Sequence, residues 1–401
     1  MSNSNTKKMF PIFILMLNLF IALLGQGMVI PILPDYLKQF NAAGTAAGYL
    51  VAAFGTSQFI FSPIGGRLSD KYGRRIMILS GLFLTVVSDF IFAIAQSLML
   101  LYIARVIGGI GIGIMVPSVL AYVADITTKE TRAKGMGYIS AAMNLGIVLG
   151  PGLGGIIAQF GIRVPYFFAA GLGFIATLLT FILPETLSLE KRSKSKSSKK
   201  QESIFNQLIQ SFHKPYFCHL LLILVMTFGL VGFETVYSLF VQDKYGFTSK
   251  DISILITLGA AIGIVVQIWF IEKAVKLVGE YNLIRLSLLM LAISLLLMLI
   301  KVNFIYIIVV SSIFFAFNSL LRPTINTLLS NEAGSNEQGF VSGLNTTYMS
   351  MGNIVGPIVA GSLFDKQINL PYIFSALILF GTILLVKQEK NTYKSEVAEN
   401  E

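Results

Sequence analysis

The sequence is poor in charged residues, cysteine and histidine, and each shortage excludes a class of protein. Charged residues make up 12% of the 401 residues, against about 25% in an ordinary soluble domain, so they cannot cover the surface of a soluble protein of this size. The single cysteine, Cys218, excludes a disulfide framework. Cys218, His213 and His219 have no metal-ligand spacing, so we expect no metal site and no bound cofactor. Most of the chain is therefore expected to lie in lipid.

Hydrophobic residues, at 55% of the chain, form long continuous runs, which favours helices over a membrane barrel. A run of about 20 residues spans roughly 30 Å of hydrocarbon at 1.5 Å per residue. We identify twelve such runs: 10–33, 45–66, 75–96, 99–123, 134–160, 163–183, 217–242, 252–272, 282–301, 303–329, 338–363 and 370–387. The first run could be a signal peptide, but it is too long and lacks a cleavage site. The predicted fold class is an all-α integral membrane protein with twelve transmembrane helices.

The basic residues predict the orientation of the spans. Twelve spans place both ends of the chain on one side, and with the N-terminus in the cytoplasm most of the 30 Lys and Arg residues lie on cytoplasmic segments. We therefore expect both termini to be cytoplasmic. The net charge of +10 does not indicate a nucleic-acid partner, because the basic residues are scattered over loops at the membrane edge.

A basic, serine-rich stretch, KRSKSKSSKK at 191–200, lies in the longest loop. It is typical of a flexible tether, and it can also approach anionic lipid. This loop, 187–214, divides the chain into two predicted bundles of six helices, 1–186 and 215–401.

The two bundles resemble each other in their glycine and proline positions. A constant offset of 206 residues superposes Gly73 on Gly279, Pro117 on Pro323, Gly137 on Gly343, Gly146 on Gly352, Gly150-Pro151 on Gly356-Pro357, and Gly155 on Gly361. These residue types mark kinks and close helix contacts. Two like-oriented halves imply a substrate site between them and alternating access, which indicates a transporter.

Four local motifs carry a resemblance to a known family. They are PILPDY at 31–36, GGRLSDKYGRR at 65–75, RVIGG at 105–109 and GIVLGPGLGG at 146–155. Together they resemble the motifs of the major facilitator superfamily, in particular its twelve-helix drug:proton antiporters, the quinolone and multidrug efflux pumps of Gram-positive bacteria. The resemblance implies a multi-pass protein of the bacterial plasma membrane that confers antibiotic resistance and requires only protons as the coupling ion.

The motif residues have both structural and functional interpretations. Asp70 can accept hydrogen bonds at a helix start or pair with an arginine, and Asp125 is expected to be its structural neighbour. The resemblance implies gating roles for Gly66, Asp70, Gly73, Arg74, Asp125, Gly150 and Pro151. Glycines 146, 150 and 154 share one helix face, so simple helix packing explains them equally well. Export as the direction of transport therefore comes from the resemblance.

Three ionisable residues within spans are the candidate proton-coupling residues: Glu234, Arg105 and Arg322. A carboxyl such as Glu234 in an apolar cavity can exchange protons near neutral pH, and it also attracts cations. Structural pairing with a neighbouring helix is the alternative. Asp89 can face a helix neighbour or lipid headgroups. Relatives carry an acidic residue where this chain has Ser319, so Glu234 is expected to carry the proton alone.

The candidate substrate-binding residues are polar, charged or aromatic positions on the helices expected to line a cavity: Gln58, Asn144, Glu234, Tyr237, Phe315, Arg322 and Asn353. We predict a functional monomer that exports amphipathic cationic or zwitterionic drugs in exchange for protons. A metabolite transporter of the same fold remains an alternative. An enzyme is disfavoured because no catalytic constellation exists, and a channel because no ring of charged residues lines a pore.

Overall fold

The computed structural model describes residues 2–187, 204–214, 216–332 and 337–386, and all regular structure within them is helical. The helices up to residue 187 are α1 (Ser2–Met28), α2 (Leu33–Lys38), α3 (Gly44–Tyr72), α4 (Arg74–Ile94), α5 (Leu98–Ile126), α6 (Lys129–Ile157) and α7 (Val164–Thr180), with a 3-10 turn at Ala158–Phe160. The later helices are α8 (Ile204–Ser211), α9 (Phe217–Tyr245), α10 (Ser249–Trp269), α11 (Ile271–Val278), α12 (Glu280–Leu297), α13 (Phe304–Glu332), α14 (Gln338–Lys366) and α15 (Leu370–Ile383).

Each of the twelve predicted spans overlaps mainly with one helix, namely α1, α3–α7, α9, α10 or α12–α15. Among the described residues, eight helices are long and apolar enough to cross a membrane, and α7 and α15 are shorter apolar helices. The remaining two, α3 and α14, each have 29 residues. The predicted helical fold class is confirmed, and its boundaries shift at several ends.

The first predicted span is broken near its end. Helix α1 ends at Met28, a turn follows, and the short helix α2 begins at Leu33 with Pro34 in its first turn. Proline there needs no hydrogen bond from its missing N–H and has the right φ for a helix start. The sequence motif PILPDY therefore marks a change of direction rather than the continuation of a span.

The chain forms two compact units that interleave along the sequence. One consists of 1–201, 234–257 and 353–368, and the other of 202–233, 258–352 and 369–401. The predicted division into bundles at 187–214 stays a prediction, since most of that linker, 188–203, lies outside the described residues.

In the first unit, α1 packs against α6 and α7, while α5 packs against α3 and α4. Buried side chains from α1, α4, α5, α6 and α7 form one core cluster, which includes Leu15, Leu19, Leu82, Met115, Tyr122 and Ile139. The polar contacts described below lie at the two ends of this unit. We call them the Gly73 end, at the turn between α3 and α4, and the Asp35 end, at α2.

In the second unit, α12 packs against α13 and α15. The Nζ of Lys214 donates to Glu337 Oε1 at 2.5 Å, and the hydroxyl of Tyr216 donates to Oε2 at 3.1 Å. The hydrogen bond from Lys214 is the main reason that the pKa of Glu337 lies below its ordinary value. Glu337 therefore ties the start of α9 to the start of α14.

The internal repeat is visible as equivalent contacts. A Cβ at Gly146 would lie 2.6 Å from the carbonyl oxygen of Phe20 on α1. A Cβ at Gly352, 206 residues later, would lie 2.8 Å from the Cβ of Thr227 on α9. Both glycines allow a close helix approach that any side chain would obstruct, so the offset found in the sequence reflects repeated packing.

Candidate functional site

A single glycine joins α3 to α4 at the Gly73 end. Helix α3 continues to Tyr72 and α4 begins at Arg74, so the segment 67–74 between two predicted spans is helical except at Gly73. Gly73 has φ 114°, a backbone conformation that favours glycine. Asp70 and Arg74 lie on opposite sides of this sharp turn, four positions apart in the sequence.

Arg74 connects both candidate acidic residues. Its Nη1 donates to Asp70 Oδ1 at 2.5 Å and its Nε donates to Asp125 Oδ2 at 3.2 Å. Nη1 also lies 3.2 Å from Ser69 Oγ. The guanidinium group is buried, whereas Asp70 is about half exposed. Asp125 at the end of α5 is thus a direct partner of this motif, and one planar cation holds α3, α4 and α5 together.

Sequence reasoning missed Glu185, which completes this cluster. Its carboxylate accepts from the backbone N–H of Arg74 at 2.9 Å and of Arg75 at 3.1 Å, so it caps the first turn of α4. The neighbouring Thr186 donates to Asp125 Oδ2 at 3.0 Å. The sequence signal that points to Glu185 is an acidic residue two positions after the end of the sixth apolar run, 163–183.

Arg105 lies within α5, where aromatic side chains surround its guanidinium group. The ring centroid of Phe92 is 5.0 Å away and that of Phe54 is 5.9 Å away, both within cation–π range. A Cβ at the nearby Gly109 would lie 2.4 Å from the carbonyl oxygen of Phe54. The glycines after Arg105 therefore allow α3 to approach α5 closely.

The glycine face of α6 contacts α1. A Cβ at Gly150 would lie 2.8 Å from Gly27 Cα, and one at Gly154 would lie 2.4 Å from the carbonyl oxygen of Met28. Pro151 lies inside this helix. The motif that the sequence associates with export is thus a tight helix interface in the structure.

The predicted substrate-binding residues divide between the two units. Gln58, Asn144, Glu234, Tyr237 and Asn353 belong to the first unit, and Phe315 and Arg322 to the second. Gln58 and Asn353 are partly buried, Asn144 is exposed and Tyr237 is buried. The carbonyl oxygen of Asn353 lies 3.8 Å from where Gly55 would carry a Cβ, so α3 and α14 adjoin there.

Two candidate coupling residues, Glu234 and Arg322, lie on the later helices. Glu234 on α9 and Arg322 on α13 are both exposed on their helices. Arg322 donates to the sulfur of Met349 on α14. Phe315 covers Gly259 on α10 so closely that a Cβ there would overlap its ring. A packing role explains this position of Phe315.

At the Asp35 end, early and late helices are joined by two carboxylates: Asp35, which belongs to the PILPDY motif, and Asp365, which the sequence analysis did not single out. Asp35 accepts from Gln242 Nε2 at 2.5 Å and from Ser249 Oγ at 2.6 Å. Asp365 on α14 accepts from the backbone N–H of Gly44 at 2.7 Å and of Thr45 at 2.9 Å, and so caps α3. Each carboxylate bridges residues more than 200 positions apart.

Close backbone contacts accompany these bonds. A Cβ at Gly155 on α6 would lie 1.7 Å from the Ser253 hydroxyl on α10, and one at Gly361 on α14 would lie 2.2 Å from the carbonyl oxygen of Gly44. The two glycines are 206 positions apart. The same type of contact is therefore made twice, with the roles of the early and late helices exchanged.

Tyr36 strengthens this end of the unit. Its buried hydroxyl donates to the carbonyl oxygen of Phe92 at 2.5 Å, and its ring lies 5.5 Å from that of Tyr166. Burial raises the pKa of Tyr36, with the nearby Arg163 opposing the effect. The hydroxyl therefore remains a hydrogen-bond donor.

Two open clefts lie at the Asp35 end. One, of about 690 Å³, is lined by residues that include Asp35, Lys38, Gln159 and Lys250. The other, of about 670 Å³, is lined by residues that include Tyr49, Tyr102, Asp243 and Asp365. Neither is lined by the residues predicted to bind substrate.

The fold and these motifs can be compared with known proteins. The sequence profile described as Major Facilitator Superfamily matches residues 15–357 and 270–399. The chain belongs to the major facilitator superfamily.

Relatives within this superfamily extend over almost the whole chain. Multidrug resistance protein 2 of Bacillus subtilis (strain 168) is 42% identical over 95% of this chain and 96% of its own length. Quinolone resistance protein NorA of Staphylococcus aureus (strain COL) is 40% identical over 96% of this chain and 97% of its own length.

Solved structures show the same fold at lower identity. The nucleoside transporter NupG has a TM-score of 0.74 at 13% identity and covers 94% of this chain and 100% of its own. The human organic anion transporter MFSD10 has a TM-score of 0.64 at 20% identity and covers 95% and 99%. The chain is thus a multi-pass membrane protein with the fold of this superfamily.

Proposed function

We propose that this chain is a proton-coupled exporter of amphipathic cationic or zwitterionic drugs, such as fluoroquinolones and dyes. The observation that carries the substrate class is the similarity, at 40–42% identity over nearly the whole chain, to proteins named for multidrug and quinolone resistance. Membership of a transporter superfamily supports transport itself.

The geometry supports alternating access as the mechanism. At the Asp35 end, carboxylates and close glycine contacts join α2, α3 and α6 to α9, α10 and α14. In our proposal this end faces outward, both termini are cytoplasmic, and this structure is the state closed to the outside. Opening requires Asp35 and Asp365 to release their partners.

The Arg74 cluster is the proposed control on the cytoplasmic side. Arg74 holds Asp70 and Asp125 while Glu185 caps the same helix start. A charge network on α3, α4 and α5 has discrete bonded and released arrangements, as a two-state gate requires.

Glu234 is the proposed site of proton exchange. In this scheme, drug enters from the cytoplasm or the inner leaflet while Glu234 is ionised, and protonation from outside accompanies the return of the empty protein. Arg105 and Arg322 are the proposed embedded cations. The drug path is proposed to be lined by Gln58, Asn144, Tyr237, Phe315 and Asn353. We propose that the protein functions as a monomer.

Efflux of a fluorescent cationic dye from a pump-deficient bacterium tests this proposal. Cells that express the protein should lose the dye faster than cells with an empty vector, and an uncoupler of the proton gradient should abolish the difference. Efflux that persists with the uncoupler, or no efflux from cells whose membranes contain the protein, would contradict proton-coupled export.

A further inference from the structure

Asp89 on α4 lies where three helices meet. It is partly buried, and a Cβ at Gly25 on α1 would lie 3.1 Å from its Oδ2 and 3.2 Å from the Cβ of Ala169 on α7. A glycine at position 25 therefore leaves the space that the carboxylate occupies. The carboxylate therefore lies beside a helix neighbour, one of the two settings considered for it.

Arg105 on α5 lies beside the same part of α4, since its guanidinium group is 5.0 Å from the ring of Phe92, three residues after Asp89. The preceding residues on the two helices are in direct contact, because Ser88 Oγ donates to the carbonyl oxygen of Ala104 at 2.7 Å. Phe92 and Phe54 cover the guanidinium group with their rings. Low-dielectric surroundings strengthen the attraction between Arg105 and an ionised Asp89.

Tyr166 on α7 is the third polar group of this cluster, and its ring stacks on that of Phe92 with the centroids 4.6 Å apart. Within the described residues, the Nε of Arg105 and the hydroxyl of Tyr166 are buried without a hydrogen-bond partner. Buried polar groups of this kind are ordinarily satisfied by water. Tyr36, next to Tyr166, and Arg163 beyond it are the neighbouring titratable groups on the Asp35 side.

We propose that Asp89 is a second proton-coupling carboxylate, which binds a proton when Arg105 moves away and releases it when Arg105 approaches. This inference rests on the proposed function. In the ionised state, the carboxylate attracts Arg105 and holds α4 against α5. A proton taken from water forms an O–H bond on Asp89 and removes that attraction, so Arg105 is freed to reorient. The same proton returns to water when Arg105 approaches again.

In this proposal the early helices contain a protonation site, Asp89, in addition to the one proposed at Glu234. Glu234 lies on α9, whereas Asp89, Arg105 and Tyr166 lie on α4, α5 and α7. The absence of an acidic residue at position 319 removes one carboxylate from the late helices. With Asp89 active, the protein keeps two proton-binding carboxyl groups.

The test compares Asp89→Asn with wild type in proteoliposomes that carry a defined pH gradient. We measure the protons moved per molecule of a fluorescent cationic dye and the pH dependence of transport. Asp89→Asn should move fewer protons per dye and lose one ionisation from the pH profile, and Asp89→Glu should restore both. An unchanged proton count and pH profile in Asp89→Asn would overturn the inference.

Two further variants separate coupling from structure. Ser88→Ala removes the adjacent bond between α4 and α5, so it should slow transport without changing the proton count. If Asp89→Asn fails to reach the membrane, Gly25→Ala presses a methyl group against the carboxylate and should shift the pH profile; an unshifted profile contradicts the inference. If wild type itself moves no dye against an uncoupler-sensitive gradient, the proposed function fails, whereas wild-type coupling with an unaltered Asp89→Asn refutes only this inference.

Discussion

Arg74 shows how much one side chain contributes when its shape matches two partners. Its Nε and Nη1 reach Asp125 and Asp70 on different helices. A lysine has the same charge but donates from one atom, so it cannot reproduce both bonds. We predict that Arg74→Lys lowers the rate of dye efflux by about tenfold or more, because losing a partner of a buried charge costs about 1–3 kcal/mol.

The matched control is Arg67→Lys. Arg67 is exposed and its Nε donates to the carbonyl oxygen of Pro63 on the same helix, so this variant should keep nearly normal efflux. Rates are measured as dye loss per amount of protein in the membrane. Equal effects of the two substitutions would show that the paired geometry of Arg74 has no special role.

Glu234 supplies a second prediction at this scale. Glu234→Gln keeps the size and polarity of the side chain but cannot exchange a proton. We expect it to abolish uncoupler-sensitive efflux while the protein still reaches the membrane. The control is Glu272→Gln on the exposed face of α11. Full proton-linked efflux by Glu234→Gln would remove Glu234 from the coupling scheme.

Sequence reasoning at the residue scale succeeds where a charge is unusual for its surroundings. Glu234 and Arg105 stand out because ionised groups are rare in spans, and Asp125 was expected beside the 65–75 motif. Glu185 and Asp365 are ordinary acidic residues at span ends. Their partners lie 111 and 321 positions away, and only tertiary packing brings them together.

At the scale of helices, the sequence predicts which segments are helical better than where they end. Apolar runs register the part of a helix that lies in hydrocarbon. Helix α6 therefore begins at Lys129, five residues before the predicted run, where Thr128 and Thr131 form a capping box. Helices α8 and α11 were not predicted, because they are only eight residues long.

The contact between α1 and α6 gives a prediction about one helix interface. Gly146→Ala would place a methyl group 2.6 Å from the backbone oxygen of Phe20, an atom that cannot move independently. Overpacking of this kind destabilises a protein by about 1–3 kcal/mol. We expect a lower midpoint of thermal unfolding in detergent.

Gly137 on the same helix provides the control, because a Cβ there would meet nothing within 4 Å. Gly137→Ala should leave the midpoint unchanged or raise it, since alanine favours a helix over glycine by about 1 kcal/mol. A loss of stability of similar size in both variants would mean that glycine content, rather than the contact with α1, determines the effect.

At the scale of the whole molecule, transport by alternating access requires the Asp35 end to hold and also to open. The residues that hold it closed are few and polar. Their directional hydrogen bonds define the geometry of the closed state but contribute only a limited free energy to it. Asp365 accepts two hydrogen bonds from backbone N–H groups at the start of α3, whereas Lys38 and Asp243 form an exposed pair at 3.4 Å. Exposed pairs contribute about 0–1 kcal/mol.

Asp365→Ala should therefore shift the protein toward a state open at this end. Loss of a capping carboxylate removes about 1–2 kcal/mol, which changes a two-state population by about 5–30-fold. Spin labels at Asn41→Cys and Lys366→Cys, in a Cys218→Ala background, measure the change as a gain in the longer distance. Asp243→Asn removes only the exposed pair and should leave the distances nearly unaltered. If Asp243→Asn opens the end and Asp365→Ala does not, surface charge rather than the capped start of α3 holds the closed state.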